Sequence, residues 1–375
     1  MSKDIKYNKT KIIATMGPAS SSVPMLKELI KAGLDVCRIN FSHGDWDTHL
    51  QVVKNIRQAN AELGTNVAIL GDLQGPKLRI GKVENNQMLL ETGATMTLTT
   101  EATISSGSTI YVKYSTLARD VKVGERVLLD DGKLELEFSK RVDENTVEAV
   151  VINGGFLSSN KGFNLPSSDM SVACLTPKDR KDLEFIMEHK LDWVALSFVR
   201  EAQDIIELRE ILNANECHAH IVAKIEKPQA VKNIEAIISV TDAIMVARGD
   251  LGVEMPMEQV PMIQKRIVSL CIDASTPVII ATQMMESMIT SPTPTRAETS
   301  DVANAVMDGA DAVMLSAETS VGEYPLKAVE AVEKILGSTE LGWNIYNKFK
   351  KPDPSSPSFI SDRICYSSVN MSEGL

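Results

Sequence analysis

Eight short apolar runs recur along the chain, most of them followed by a stretch with helical periodicity. The runs are KIIAT (11–15), LDVCRI (34–39), NVAIL (66–70), DWVALSF (192–198), HIVAK (220–224), DAIMVA (242–247), PVIIA (277–281) and DAVMLS (311–316). Each is nearly continuous in hydrophobicity, which suits parallel strands buried on both faces. Between them lie amphipathic segments such as VPMLKELIKAG, THLQVVKNIRQANAELG, PKDRKDLEFIMEHK, AQDIIELREILNAN and PMIQKRIVSLCIDA. Strands alternating with helices predict an α/β fold, and eight such units predict a (β/α)8 barrel over an open doubly wound sheet.

One connection breaks this rhythm. Residues 74–172, between the third and fourth strands, switch to period two with frequent turns: MLLETGATMTLTT, STIYV, ERVLLDDGKLELEF and TVEAVVINGGFL. Asp131-Gly132 and Gly154-Gly155 punctuate the stretch as hairpin turns do. The pattern predicts a small all-β barrel domain inserted as a lid between strand 3 and helix 3, hinged near Gly75-Pro76 and Pro166. The barrel itself is then assembled from residues 1–73 and 173–345. After its last helix the Pro/Ser/Lys stretch KKPDPSSPS reads as a linker, and residues 346–375 as that linker plus one helix of a third domain.

Composition adds limits. Of 375 residues, 39 are basic and 50 acidic, a net charge of −11, which disfavours nucleic acid and membrane surfaces as partners. An anionic substrate must then be held by a few local cations. Cys37, Cys174, Cys217, Cys271 and Cys365 are scattered without a CxxC pair, so they read as reduced thiols. With no apolar signal core after Met1 and no run of membrane-spanning length, the expected compartment is the cytoplasm.

In a (β/α)8 barrel the functional site lies at the carboxyl ends of the strands. Those ends offer Arg38, Asn40, Ser42 and His43; Asp72; Ser197 and Arg200; Lys224 and Glu226; Arg248, Gly249 and Asp250; Thr282; and Glu318. Carboxylates and cations collected on one rim need a metal and an anionic ligand to balance them. Glu226 and Asp250 are hard oxygen donors suited to Mg2+. Lys224, two residues before Glu226, shares its face of the strand and is placed to hold a transferring phosphoryl group. Arg38 offers a fork for phosphate, and Gly249 lets a ligand approach the backbone. Taken singly, each has a plainer reading: Lys224-x-Glu226 as a surface ion pair, Asn40-Phe41-Ser42-His43 as a helix-entry loop, Arg79 and Lys161 as solvated charges. His218-x-His220 sits at the start of a strand and reads as structural.

The segments TKIIATMGPAS, RINFSHGD, GDLQGPKLRIG, NKGFNLP, ALSFVR, AKIEKPQAV, IMVARGDLGVE and ATQMMESMITSPTPTRAETSDVANAVMDGADAVMLSAET follow in order from residue 10. With GEYPLKAV, they closely resemble the pyruvate kinase family. The resemblance implies phosphoryl transfer from phosphoenolpyruvate to ADP, giving pyruvate and ATP. It implies one Mg2+ on Glu226 and Asp250 and a second arriving with the nucleotide. Lys224 is then the group that stabilises the transferring phosphoryl and the enolate. Arg38, Gly249, Asp250 and Thr282 contact phosphoenolpyruvate, with Thr282 near the face where the enolate is protonated. Asn40, Phe41, Ser42, His43, Arg79 and Lys161 are then nucleotide contacts.

Two departures stand out. Many family members bind K+ through positions matching Asn40, Ser42, Asp72 and the carbonyl of Leu73, with a glutamate where Lys77 stands here. The ammonium of Lys77 is expected to replace the K+ charge, leaving little or no K+ requirement. The family's C-terminal domain, which carries effector sites and part of the homotetramer contacts, is represented here by one helix only. Two rival readings follow: a metal-dependent aldolase or lyase acting on pyruvate-type substrates, and an inactive truncated fragment.

Overall fold

The computed structural model describes residues 8–168, 171–342, 352–356 and 358–372. Eight parallel strands close into a barrel in sequential order: β1 (Lys11–Thr15), β2 (Val36–Asn40), β3 (Ala68–Asp72), β4 (Trp193–Leu196), β5 (His220–Ile225), β6 (Ala243–Ala247), β7 (Val278–Ala281) and β8 (Ala312–Leu315). Because neighbouring residues of a strand point to opposite faces, each strand feeds two cores. Ile13, Leu70, Val222, Met245, Ile279 and Met314 fill the barrel interior. Ile12, Ile69, Ile221, Ile244, Ile280 and Val313 pack outward against the helices. This double burial is what the near-continuous apolar runs encode.

β2 and β3 each begin two residues later than their apolar runs. Val67 is held outside β3 by Asn60, whose side-chain amide accepts from the Val67 N–H and donates to the Val67 carbonyl, both at 3.0 Å. Asp35 stands at the foot of β2, and its carboxylate accepts the N–H of Ile12 in β1 at 2.9 Å. The same device repeats around the barrel. Asp192 takes the N–H of Ile69 (2.7 Å), Asp242 that of Ile221 (2.7 Å) and Asp311 that of Val278 (2.8 Å). An acid before each even strand thus satisfies the first buried amides of the odd strand beside it.

The helices follow the predicted segments. Pro177–Glu188 and Arg296–Asp308 each open on a capping box, Thr176 with Asp179 and Thr295 with Glu298, which satisfies otherwise orphaned amides.

The stretch after β3 forms the expected β unit, interrupted by short helical turns at Glu84–Asn86 and Leu117–Asp120, with a hydrophobic core of its own that includes Ile80, Leu98, Ile110, Val127, Leu136 and Phe138. Its main sheet runs Phe163–Asn164, Arg126–Leu129, Leu134–Arg141, Thr146–Asn153, Thr95–Thr99, Thr109–Tyr111, antiparallel except for the last pair. A second ribbon pairs Met88–Leu90 with Gly155–Leu157. The turn Asp130-Asp131-Gly132 runs at φ of 49°, 56° and 84°, a left-handed path suited to Asp and Gly. Phe359–Ser372 forms a helix, while the linker read over 350–358 lies partly outside the described residues. No helix among the described residues is long and apolar enough to cross a membrane.

Candidate active site

The carboxyl ends of the strands converge on a buried charged network. Arg38, on β2, donates from Nε to Asp72 at 2.7 Å and from Nη1 to Thr15 at 2.8 Å. Lys224, on β5, places Nζ 3.2 Å from Asp72, 3.0 Å from Glu226 and 2.7 Å from Ser197 Oγ. Asp72 and Glu226 have side chains 1% exposed, so these are charges taken out of water and balanced by the cations Lys224 and Arg38. The reading of Lys224-x-Glu226 as a surface ion pair is therefore excluded.

Burial by itself would raise the carboxyl pKa of Asp72, but the cations Lys224 and Arg38 outweigh it and hold the group below its ordinary range. Lys224 is likewise disfavoured as a cation by burial, yet Asp72 and Glu226 push its pKa above the usual lysine value. Glu226 goes the other way. Burial and the nearby charge of Asp250 raise it, against the pull of Lys224. Two hard oxygen donors that repel across one rim fit a divalent ion between them, with remaining positions open to substrate and water. Among the described residues no cluster of three or more His, Cys, Asp or Glu is arranged to hold a metal.

On the far side of the rim, Arg248–Glu254 forms a short helix after β6. Gly249 donates its N–H to Thr282 Oγ1 at 2.7 Å, and that hydroxyl donates to the Ala281 carbonyl at 2.6 Å. A Cβ on residue 249 would stand 3.3 Å from Thr282 Oγ1, so glycine keeps this approach open. Thr282 and Gln283 have φ of 69° and 54°, a costly region for a β-branched residue. Arg248 holds the turn by donating to the Thr282 carbonyl, and its own position is fixed by Asp301, both at 2.8 Å. A cleft of about 870 Å3 opens here, lined by Lys77, Arg248, Gly249, Asp250 and Gln283 among others.

The family comparison agrees with this geometry. A family model described as pyruvate kinase, barrel domain, matches residues 7–329. The chain belongs to the pyruvate kinase family. It is 44% identical over 337 residues to the pyruvate kinase of Thermococcus litoralis, covering 90% of this chain and 71% of the relative. It is 45% identical over 359 residues to that of Geobacillus stearothermophilus, covering 95% of this chain and 61% of the relative. Against the pyruvate kinase of Agrobacterium vitis the identity is 47% over 345 residues, 92% and 71% of the two chains. The chain thus spans part of the length of these pyruvate kinases.

Within this family member, the sequence-derived site divides into groups. Arg38, Asp72, Lys224 and Glu226 are linked directly, and Gly249 with Thr282 forms a second linked pair. Asp250 joins the first group through charge. The residues read as a K+ site are engaged by the protein: Asn40 Oδ1 accepts from the Ser42 N–H at 3.0 Å, and the Leu73 carbonyl accepts from Ser197 at 2.7 Å. Lys77 places its Nζ 3.4 Å from Asp250. Phe41, read as a nucleotide contact, turns its ring to the core. Its ring is 2% exposed and packs on His49 and Phe185, and its carbonyl accepts from Lys178 at 2.6 Å. An apolar side chain between two polar ones in the loop turns to the core. His43 is exposed, while Arg79 and Lys161 sit on the inserted unit, paired with the Asn160 carbonyl (3.0 Å) and Asp130 (2.7 Å).

Residue patterns gave no role to Ser197, Thr15 or the backbone of Phe198. Ser197 bridges Lys224 to the Leu73 carbonyl, and the Phe198 N–H donates to Glu226 at 2.7 Å. The position of Ser197 at a strand end was the one available signal.

Proposed function

We propose that this chain transfers the phosphoryl group of phosphoenolpyruvate to ADP, giving pyruvate and ATP. The observation that carries the reading is a buried lysine, Lys224, within 3.2 Å of both Asp72 and Glu226. Phosphoryl transfer demands little covalent chemistry and much fixed positive charge, and a lysine held in place by buried carboxylates is preorganised for it. Arg38, braced by Asp72 and Thr15, turns its remaining guanidinium edge to phosphate. Glu226 and Asp250 would hold Mg2+, which when bound supplies a Lewis acid for the phosphoryl and enolate oxygens. A second Mg2+ would come with the nucleotide.

Thr282 stands near the face where the enolate is protonated; its own hydroxyl proton is committed to the Ala281 carbonyl and its oxygen accepts from Gly249, so the proton would come from water at that face. The inserted unit, residues 74–172, is proposed as a lid that brings Arg79 and Lys161 toward Asn40, Ser42 and His43 and sheds water on closing. Lys77, where many relatives carry glutamate, is proposed to lower or remove the K+ requirement.

A coupled assay for pyruvate formation from phosphoenolpyruvate, ADP and Mg2+ tests the function. Turnover with this substrate pair, absent when either is omitted, is the expected result. Cleavage or condensation of a pyruvate-type substrate without ADP would replace the reading with an aldolase or lyase, and a folded chain inert in both assays would mark a non-catalytic module.

A further inference from the structure

We infer that Glu254, with Lys227 and Asn164, tethers the hinge of the inserted domain to the helix that carries Asp250, making Glu254 a positioning residue for the proposed phosphoryl transfer. The inference rests on that functional reading but is argued from contacts of its own. Glu254 Oε1 accepts from Lys227 Nζ and from Asn164 Nδ2, each at 2.7 Å. The Glu254 side chain is fully buried, and that of Lys227 is 4% exposed. These three residues come from three places: Asn164 from the chain's return out of the inserted sheet, Lys227 from the residue after Glu226, and Glu254 from the end of the helix Arg248–Glu254.

Asp250 and Glu254 stand four residues apart on that helix and so share a face. The outgoing hinge reaches this face through Lys77, 3.4 Å from Asp250, and the returning hinge reaches it through Asn164. Both crossings of the chain therefore grip one helix. Pro76, Leu78 and Phe163 close around Lys227 and Phe198, leaving a gap of about 10 Å3, and the Lys227 ammonium stands 5.8 Å from the centre of the Phe198 ring. Phe198 in turn donates its N–H to Glu226. The hinge is thereby connected to both carboxylates of the proposed metal centre.

The tether is not a simple stability device. Glu254 Oε2 is buried with no hydrogen-bond partner among the described residues, and a half-satisfied buried carboxylate costs stability that an apolar residue would not. What the charge provides is direction: one oxygen holds two elements that must move together when the inserted domain closes.

The test uses the whole chain and three variants, Asn164→Ala, Glu254→Gln and the double. Asn164→Ala cuts the tether without unpairing a buried charge, so it remains informative if Glu254→Gln fails to fold. It is expected to lower kcat about 10- to 100-fold, the range for small misplacements of reacting groups, with the KM for phosphoenolpyruvate within about twofold of wild type. Amide exchange, measured without ligands, should speed up over residues 75–80 and 160–166 and stay unchanged over 312–315. Glu254→Gln should also raise the Mg2+ concentration needed for half-maximal rate. The double variant should be no slower than Glu254→Gln, because both act through one contact. A wild-type kcat in Asn164→Ala together with unchanged exchange would overturn the inference, as would a loss confined to thermal stability. Should the wild-type chain form no pyruvate, the functional reading fails separately, and exchange alone decides the tether: faster at the hinge supports it, unchanged refutes it.

Discussion

Lys224 is the residue on which the charge balance of the rim turns. Its ammonium faces Asp72, Glu226 and Ser197 within 3.2 Å, and no other cation contacts Glu226 among the described residues. Lys224→Met keeps much of the volume and removes the charge. Turnover should fall by about 10²- to 10³-fold or more, the cost of losing one preorganised electrostatic contact. Mg2+ binding by titration should persist, since Glu226 and Asp250 remain; a variant with wild-type turnover would refute the role. A second residue-scale prediction concerns His49, which is 7% exposed beneath the Asn40–Gly44 loop, with its ring 4.7 Å from that of Phe41. Burial, the largest influence, holds its pKa below the ordinary histidine value against the pull of Asp182. With the folded pKa depressed, the unfolded chain binds the extra proton first. Stability should therefore fall as pH drops below about 6.5 and level off once the folded form is also protonated. His49→Phe should shrink the difference in unfolding midpoint between about pH 7.5 and 5.5.

At the scale of elements, the four acids at the feet of β2, β4, β6 and β8 define the barrel's lower edge. Each accepts one backbone amide of the neighbouring strand. Burial raises the pKa of Asp35 and Asp311, which marks their ionised form as mildly disfavoured. Asp35→Ala should cost about 1–3 kcal/mol by leaving the Ile12 amide unpaired. Asp35→Asn keeps a carbonyl oxygen and should stay within about 0.5 kcal/mol of wild type. Chemical denaturation of both variants decides between an acceptor and an electrostatic role; equal losses would favour the latter.

For the molecule as a whole, the relation between barrel and inserted unit governs the monovalent-ion prediction. Lys77 lies on the outgoing crossing, 32% exposed, with its ammonium toward Asp250. Replacing K+ in the assay by a bulky organic cation should leave most activity intact. Lys77→Glu should create a K+ requirement, seen as a rate that rises several-fold or more on K+ addition, because two carboxylates would then press on one centre. Loss of most wild-type activity without K+ would sink the idea.

The sequence by itself determined the barrel, because strands buried on both faces must be apolar almost throughout, and eight such runs stand out against amphipathic helices. It also determined the inserted β unit, through its change of period, and the rim residues Arg38, Asp72, Lys224, Glu226 and Asp250, through their places at strand ends. Only the tertiary structure decided which of those groups touch. Phe41 turned to the core, Lys77 faced Asp250, and Ser197 and Phe198 closed the network, because such pairings depend on side-chain directions across strands far apart in the chain. Spacing along one strand carries no record of them.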